Sequence, residues 1–446
     1  MEPSLNKTGN YRWTICALVF FATTINYLDR QVLSLLKPYL EENGLFGSDP
    51  AHYESIYSNI VIAFQLAFAL GMVLVGGVID KIGLKLGYAL SLFAWSLASI
   101  AHAIVKGPFG FGVARAALGL PEAGNYPAGV KTIAEWFPKK ERALATGIFI
   151  SGTNIGAILA PLLVPLIAVS MGWQWAFILT GAVGFVWLIF WQLIYDSPQN
   201  KLASGKLTTS EFELIESDKE DKATEESTKS FSWFKLLRYR QTWAFFIGKL
   251  LTDPVWWFFS FWLPAFLKEQ YGLTGTQVSL PLVLVYTMTT IGSILGGWLP
   301  KYFIEGGMDA NKARKKAMLM YAFIPLLVLF VQYAGDYNMW YAVIIIGIAA
   351  SAHQAWSANI FTTVSDMFPK RAVASVTGIG GMAGGIGGIL IARSAGLLFD
   401  HYKAAGDIRI GYGIMFMICS SVYIIAWLIM HAMVPKFRKV DLDLEI

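Results

Sequence analysis

Four charged residues stand inside apolar stretches of the chain: Asp29 and Arg30 in "INYLDRQ" (Ile25–Gln31), then Arg115 and Glu122. A charge near the middle of a membrane-crossing helix costs about 2.5–3.5 kcal/mol, so such a residue faces a cavity or a partner. The spacing of Arg115 and Glu122 is close to two helical turns, which sets them on one face about 10.5 Å apart. Asp29 and Arg30 are neighbours, so their side chains diverge by about 100° and cannot serve the same contact. A guanidinium grips a carboxylate in a two-pronged fork, and an acid held away from water can carry a proton. Two readings fit. The four charges form internal ion pairs that hold the N-terminal part together, or they bind an organic anion and move protons with it.

The elements that must position these charges are membrane spans. Hydrophobic residues make up 55% of the 446 and charged residues 15%, whereas a soluble domain carries about a quarter charged residues. Apolar runs long enough to cross a bilayer recur along the whole length. Hydropathy, broken at polar and Gly/Pro clusters, predicts twelve helices near 12–36, 54–79, 84–105, 108–136, 141–168, 173–195, 240–268, 277–304, 314–334, 338–367, 372–399 and 410–434. The two cysteines, Cys16 and Cys419, lie in apolar runs and form neither a disulfide framework nor a metal-ligand spacing. No metal motif, nucleophile elbow or nucleotide loop is present, which argues against an enzyme and against any cofactor. The basic residues sit in short loops between spans, which does not suit nucleic acid.

Lysine and arginine in those loops set the orientation. One side holds Lys81, Lys85, Lys139, Lys140, Arg142, Lys301, Lys312, Arg314, Lys315, Lys316, Lys370 and Arg371; the other holds Lys37, Lys106, Lys268, Lys403 and Arg409. The first set is expected in the cytoplasm, with both termini. No cleavage site follows the first apolar run, so no removable signal peptide is expected.

The chain also repeats itself. "FPKKERALATG" (Phe137–Gly147) and "FPKRAVASVTG" (Phe368–Gly378) lie in register 231 residues apart, and "NIGAILA" (Asn154–Ala160) matches "GIGGILI" (Gly385–Ile391) at the same offset. The fourth span of one half is thus the tenth of the other. The expected fold is an all-α membrane protein of twelve helices in two pseudo-symmetric six-helix bundles. Residues 1–196 form the first bundle, 197–238 a solvated cytoplasmic linker, and 239–446 the second bundle.

The offset sends Glu122 to His353, with Gln354 and Ser357 beside it. Neutral donors and acceptors there suit sugar hydroxyls, although a packed, hydrogen-bonded histidine fits as well. In the seventh span, "TDPVWWFFSFWLP" (Thr252–Pro264) offers indoles to stack on a pyranose, with Trp257 taken as the contact. Lys249 and Asp253 have ion-pair spacing. Tyr27 and Asn154 are further polar candidates. The glycines of "GIGGMAGGIGG" (Gly378–Gly388) read as close helix packing. At the cytoplasmic helix ends, Asp80, Lys81, Glu135, Arg142 and Asp366 are candidates for an inner gate.

With "GGVIDKIGLKLG" (Gly76–Gly87) joining the second and third spans, the chain resembles a transporter of the major facilitator superfamily. Leu86 stands where a second basic residue is common in that motif. "INYLDRQ", "ARAALGLPEAGNYPAGVKTIAEWFP" (Ala114–Pro138) and "HQAWSANIFTTVSDMFP" (His353–Pro369) extend the resemblance over about 11–435. It points to the organic anion:cation symporter branch, and within it most closely to the bacterial hexuronate transporters. The resemblance implies Arg30 as the arginine for the substrate carboxylate, Asp29 and Glu122 as proton-linked acids, and Arg115 as the residue coupling them. It also implies a monomer in the bacterial inner membrane that imports a sugar acid with protons by alternating access. An anion exchanger or exporter is the alternative within transport, and a membrane receptor the alternative outside it.

Overall fold

The computed structural model describes residues 9–47, 49–217 and 233–440. The side chains of a few helical residues, Asp80, Lys139, Lys140, Lys370 and Arg371 among them, lie outside the description, as does most of the charged stretch after Ser217. All regular structure among the described residues is helical. The spans are α1 (Tyr11–Glu42), α2 (Tyr53–Ile82), α3 (Leu84–Ala101), α4 in two pieces (Gly107–Glu122 and Asn125–Trp136), α5 (Lys139–Met171) and α6 (Trp173–Ile194). After the linker come α7 (Arg240–Tyr271), α8 (Ser279–Glu305), α9 (Ala310–Phe323, a 3₁₀ stretch Ile324–Phe330, then Val331–Tyr337), α10 (Met339–Met367), α11 (Lys370–Ala404) and α12 (Ile408–Met433).

Among the described residues, nine of these are apolar and long enough to cross a membrane by length and composition. The three that fall short are α1, α4 and α7, which carry Asp29 and Arg30, a helix break, and the Lys249–Asp253 pair. They are the spans whose polarity bears on the site.

The two halves pack alike. Helix α1 lies on α5 and α6, α2 on α4, and α3 on α6; in the other half α7 lies on α11 and α12, α8 on α10, and α9 on α12. The repeated loop has one backbone geometry in both places. Phe137 (φ −122°, ψ 134°) and Phe368 (φ −114°, ψ 147°) are extended, because a residue preceding proline is pushed out of the helical region. Pro138 and Pro369 then start α5 and α11 with ψ near 150°. Between α2 and α3, and between α5 and α6, the reversal rests on Gly83 (φ 89°) and Gly172 (φ 97°), a backbone conformation that favours glycine.

Two expectations need correction. The fourth span is not one continuous helix. Pro121 has no N–H to donate, Gly124 N–H bonds back only three residues to the Pro121 carbonyl, and the α-helical bonding is interrupted at Ala123–Gly124, although both keep right-handed helical dihedrals. The linker is also not wholly solvated. Its helix Thr209–Glu216 docks on the first bundle, where Glu211 accepts the N–H groups of Tyr11 and Arg12 at 3.1 and 3.0 Å and pairs with the Arg12 guanidinium at 3.0 Å. A carboxylate at the N-terminus of α1 answers its unsatisfied donors and its dipole.

The glycines of α11 serve two neighbours. A Cβ on Gly380, Gly384 or Gly387 would strike α7 in the same half, while Gly381, Gly385, Gly388 and Gly396 face Met72, Ala69, Gln65 and Ser58 of α2 in the other half. The halves are further joined at the end away from the linker. Asp400 accepts the N–H groups of Glu54 and Ser55 at 2.9 Å each, Ser58 Oγ donates to the Ala392 carbonyl at 2.7 Å, and Tyr57 donates to the Phe261 carbonyl at 2.9 Å. Lys37, buried there, pairs with Glu54 and Glu41, and Lys268 of α7 lies 3.5 Å from Glu41.

Candidate functional site

Arg30 and Glu122 meet. Arg30 donates from Nε at 3.1 Å and from Nη2 at 3.0 Å, both to the single oxygen Glu122 Oε2, and Nη2 also reaches Asn26 Oδ1 at 3.2 Å. The break in α4 directly follows Glu122, and Asn26 Nδ2 donates to the Glu122 carbonyl at 3.3 Å, so one side chain of α1 braces both partners. Rings surround the guanidinium: Tyr27 at 4.7 Å, Phe68 at 4.7 Å, Phe64 at 5.4 Å and, from the other half, Trp257 at 5.7 Å. These rings form a cation–π cage around it. Glu122 Oε1 has no hydrogen-bond partner among the described residues.

Asp29 points elsewhere, as the 100° divergence requires. Ser99 of α3 donates to its Oδ1 at 3.1 Å, and Oδ2 has no described partner; the residue is 1% exposed. Arg115 lies behind Arg30, with Nη1 3.4 Å from the Arg30 carbonyl oxygen and its Nε and Nη2 unpartnered among the described residues. The direct ion pair is therefore Arg30–Glu122, with Arg115 against the Arg30 backbone and Asp29 turned away to Ser99.

In the second half, His353 Nδ1 lies 2.6 Å from Tyr423 Oη and its ring stacks on Trp256 at 5.6 Å. Adjacent indoles of α7 thus face two ways: Trp257 towards Arg30, Trp256 towards His353. Gln354, Ser357 and Asn154 are half-buried. Tyr27 sits where Gly156 lets α5 approach α1, since a Cβ on Gly156 would come 2.8 Å from Tyr27 Cβ. Lys249 and Asp253 pair at 2.7 Å.

At the linker end, Tyr195 donates to Glu135 at 2.8 Å, Arg142 donates to the Phe137 and Ala134 carbonyls at 3.2 and 3.1 Å, and Asp366 lies 3.2 Å from Arg314 Nε. Each of these contacts stays within one half. Lys81 is exposed, and the Asp80 side chain lies outside the described residues.

Asn26, Ser99, Phe64 and Phe68 belong to the site and were not singled out from the sequence. Asn26 stands four residues before Arg30, a spacing that puts both on one helical face and would have identified it. The two phenylalanines carry no such signal, because an aromatic in an apolar run looks like any lipid-facing residue.

Residues 19–392 match the family described as Major Facilitator Superfamily. The hexuronate transporter of Escherichia coli (strain K12) is 32% identical over 398 residues, 89% of either chain. The galacturonate transporter of Dickeya chrysanthemi is 34% identical over 297 residues, 67% of this chain and 84% of its own. Among solved structures, a D-xylose-proton symporter superposes with a TM-score of 0.74 at 14% identity, covering 97% of this chain and all of its own, which bears on the fold alone. The chain belongs to the Major Facilitator Superfamily, and it is a membrane transporter rather than an enzyme.

Proposed function

We propose that the protein imports a sugar acid of the hexuronate class together with protons, by alternating access of one site between the two halves. The observation that carries this reading is the form of the Arg30–Glu122 pair. The guanidinium spends two donors on one carboxylate oxygen and leaves Nη1 without a described hydrogen bond. A substrate carboxylate can offer the two-oxygen geometry that Glu122 does not. Protonating Glu122 removes the competing charge and frees Arg30 for the substrate. By reciprocity, a bound substrate carboxylate favours the protonated form of Glu122 to the same extent. Asp29, beside Arg30 in sequence but turned to Ser99, is the second proton-carrying acid, and Arg115 relates the two. The names of the relatives that match over most of the chain, a hexuronate and a galacturonate transporter, support the substrate class.

The loop charges favour a cytoplasmic linker end and cytoplasmic termini. On that orientation the hydrogen bonds of Asp400, Ser58 and Tyr57 seal the outer end, and Glu135, Arg142, Asp366 and the Asp80–Lys81 turn stand where an inner gate would form. Monomers suffice for this cycle, and a bacterial inner membrane is its setting.

The test uses purified protein in liposomes with an imposed pH gradient, acid outside, and labelled glucuronate, galacturonate, galactonate and neutral glucose. Uptake of an acidic sugar driven by the gradient, lost in Glu122→Gln while exchange persists, is the expected result. Uptake indifferent to the gradient, or a preference for glucose, would return the four charges to a structural role.

A further inference from the structure

We propose that Gln65 of α2 reads a hydroxyl group of the transported sugar acid while Arg30 holds its carboxylate, an inference that rests on the sugar-acid reading above. Gln65 is 2% exposed, and neither Oε1 nor Nε2 has a hydrogen-bond partner among the described residues. A buried amide without partners is costly, and a packing role at that position would be better served by an apolar side chain. The amide offers two donors and an acceptor, the complement of a hydroxyl, which both gives and takes.

Its surroundings connect it to the cation. Gln65 occupies space left by the missing side chain of Gly388 on α11; a Cβ there would collide with Gln65 Oε1 and come 2.9 Å from Trp257 Cδ1. The same Trp257 ring lies 5.7 Å from the Arg30 guanidinium. On α2, Phe64 and Phe68, one residue before Gln65 and three after it, both face Arg30. One indole of the second half is therefore flanked by a fixed cation and by an unsatisfied amide, both from the first half. A pyranose lying along Trp257 would present its carboxylate to Arg30 and a ring hydroxyl to Gln65. The class this selects is a polyhydroxylated carboxylate, since an acid without hydroxyls leaves the amide unpaired.

Binding to the purified full chain is measured for D-glucuronate and for tetrahydropyran-2-carboxylate, a ring acid of similar shape with no hydroxyls. Gln65→Met keeps the volume and removes both polar atoms. It is expected to weaken glucuronate binding about tenfold, leave the hydroxyl-free acid unchanged, and hold or raise the melting temperature. Gln65→Asn, which retains the amide on a shorter stem, should lie between. Equal weakening of both acids, unchanged glucuronate binding, or a lowered melting temperature with Gln65→Met would overturn the assignment and make Gln65 a structural residue. If the unsubstituted protein binds no sugar acid, the transport reading fails and this inference with it, a result visible before any variant is made.

Discussion

Glu122 and His353 hold the same place in the two halves, 231 residues apart on equivalent helices, yet they have become opposite kinds of residue. Glu122 sits at a helix break, paired with Arg30 and only partly satisfied. His353 sits in an unbroken helix, tied to Tyr423 and covered by the Trp256 ring. The first half keeps a buried ion pair there, where on the function proposed above a ligand and a proton would compete. The second carries at the corresponding position a histidine bonded to Tyr423 and stacked on Trp256.

Placing a carboxylate in the second half breaks this division most severely. His353→Glu buries an acid beside Tyr423 and Trp256, where the nearby cation Lys249 is already paired with Asp253, and should cost about 3–5 kcal/mol in thermal or denaturant stability. Arg30→Lys tests the other half. A point charge cannot reproduce the guanidinium fork, so uptake of a sugar acid should fall by about 100-fold with the melting temperature nearly unchanged. Tyr423→Phe strands the His353 ring nitrogen and should cost about 1–3 kcal/mol, with substrate affinity altered little. Adding His353→Leu to it should recover part of the loss, because no unpaired polar group then remains.

The smallest effect lies outside the spans. Asn200, Ser197 and Lys85 hold the Asp196 carboxyl down to about 2, the Asn200 amide contributing most. A carboxyl lowered by folding stabilises the folded state above its ordinary range, and that contribution disappears as pH falls towards about 2. The group is partly exposed, so Asp196→Asn should cost at most about 0.5 kcal/mol at neutral pH and nothing near pH 2, read from melting curves.

Much of the comparison was legible in the sequence. The duplicated Phe-Pro loop and its offset disclose the two bundles, because a loop that must turn the same way twice keeps the same residues. Charges in apolar runs disclose Asp29, Arg30, Arg115 and Glu122, because hydrocarbon penalises them wherever they stand. The pairing among them was not legible, since it depends on a helix break and on which way two neighbouring side chains turn. Proline and glycine at Pro121 and Gly124 marked the break, but both are common in membrane helices. Gln65 was silent, because one glutamine in an apolar run barely alters hydropathy and its meaning comes from a glycine on a distant helix. Asp400 was equally silent: a carboxylate near a span end looks like any interfacial charge until the N-terminus of α2 is seen against it.

The glycine face of α11 has a mechanical consequence. Where Gly381, Gly385, Gly388 and Gly396 meet α2, one half presents backbone to the side chains of the other. A joint of interlocked side chains must unlock rotamer by rotamer before it slides, and each catch adds friction to every turnover. Under the alternating-access cycle proposed above, a face with side chains on one side only offers few catches, so the halves would rock with little internal drag. Roughening that face would slow the machine even if every ligand contact stayed intact.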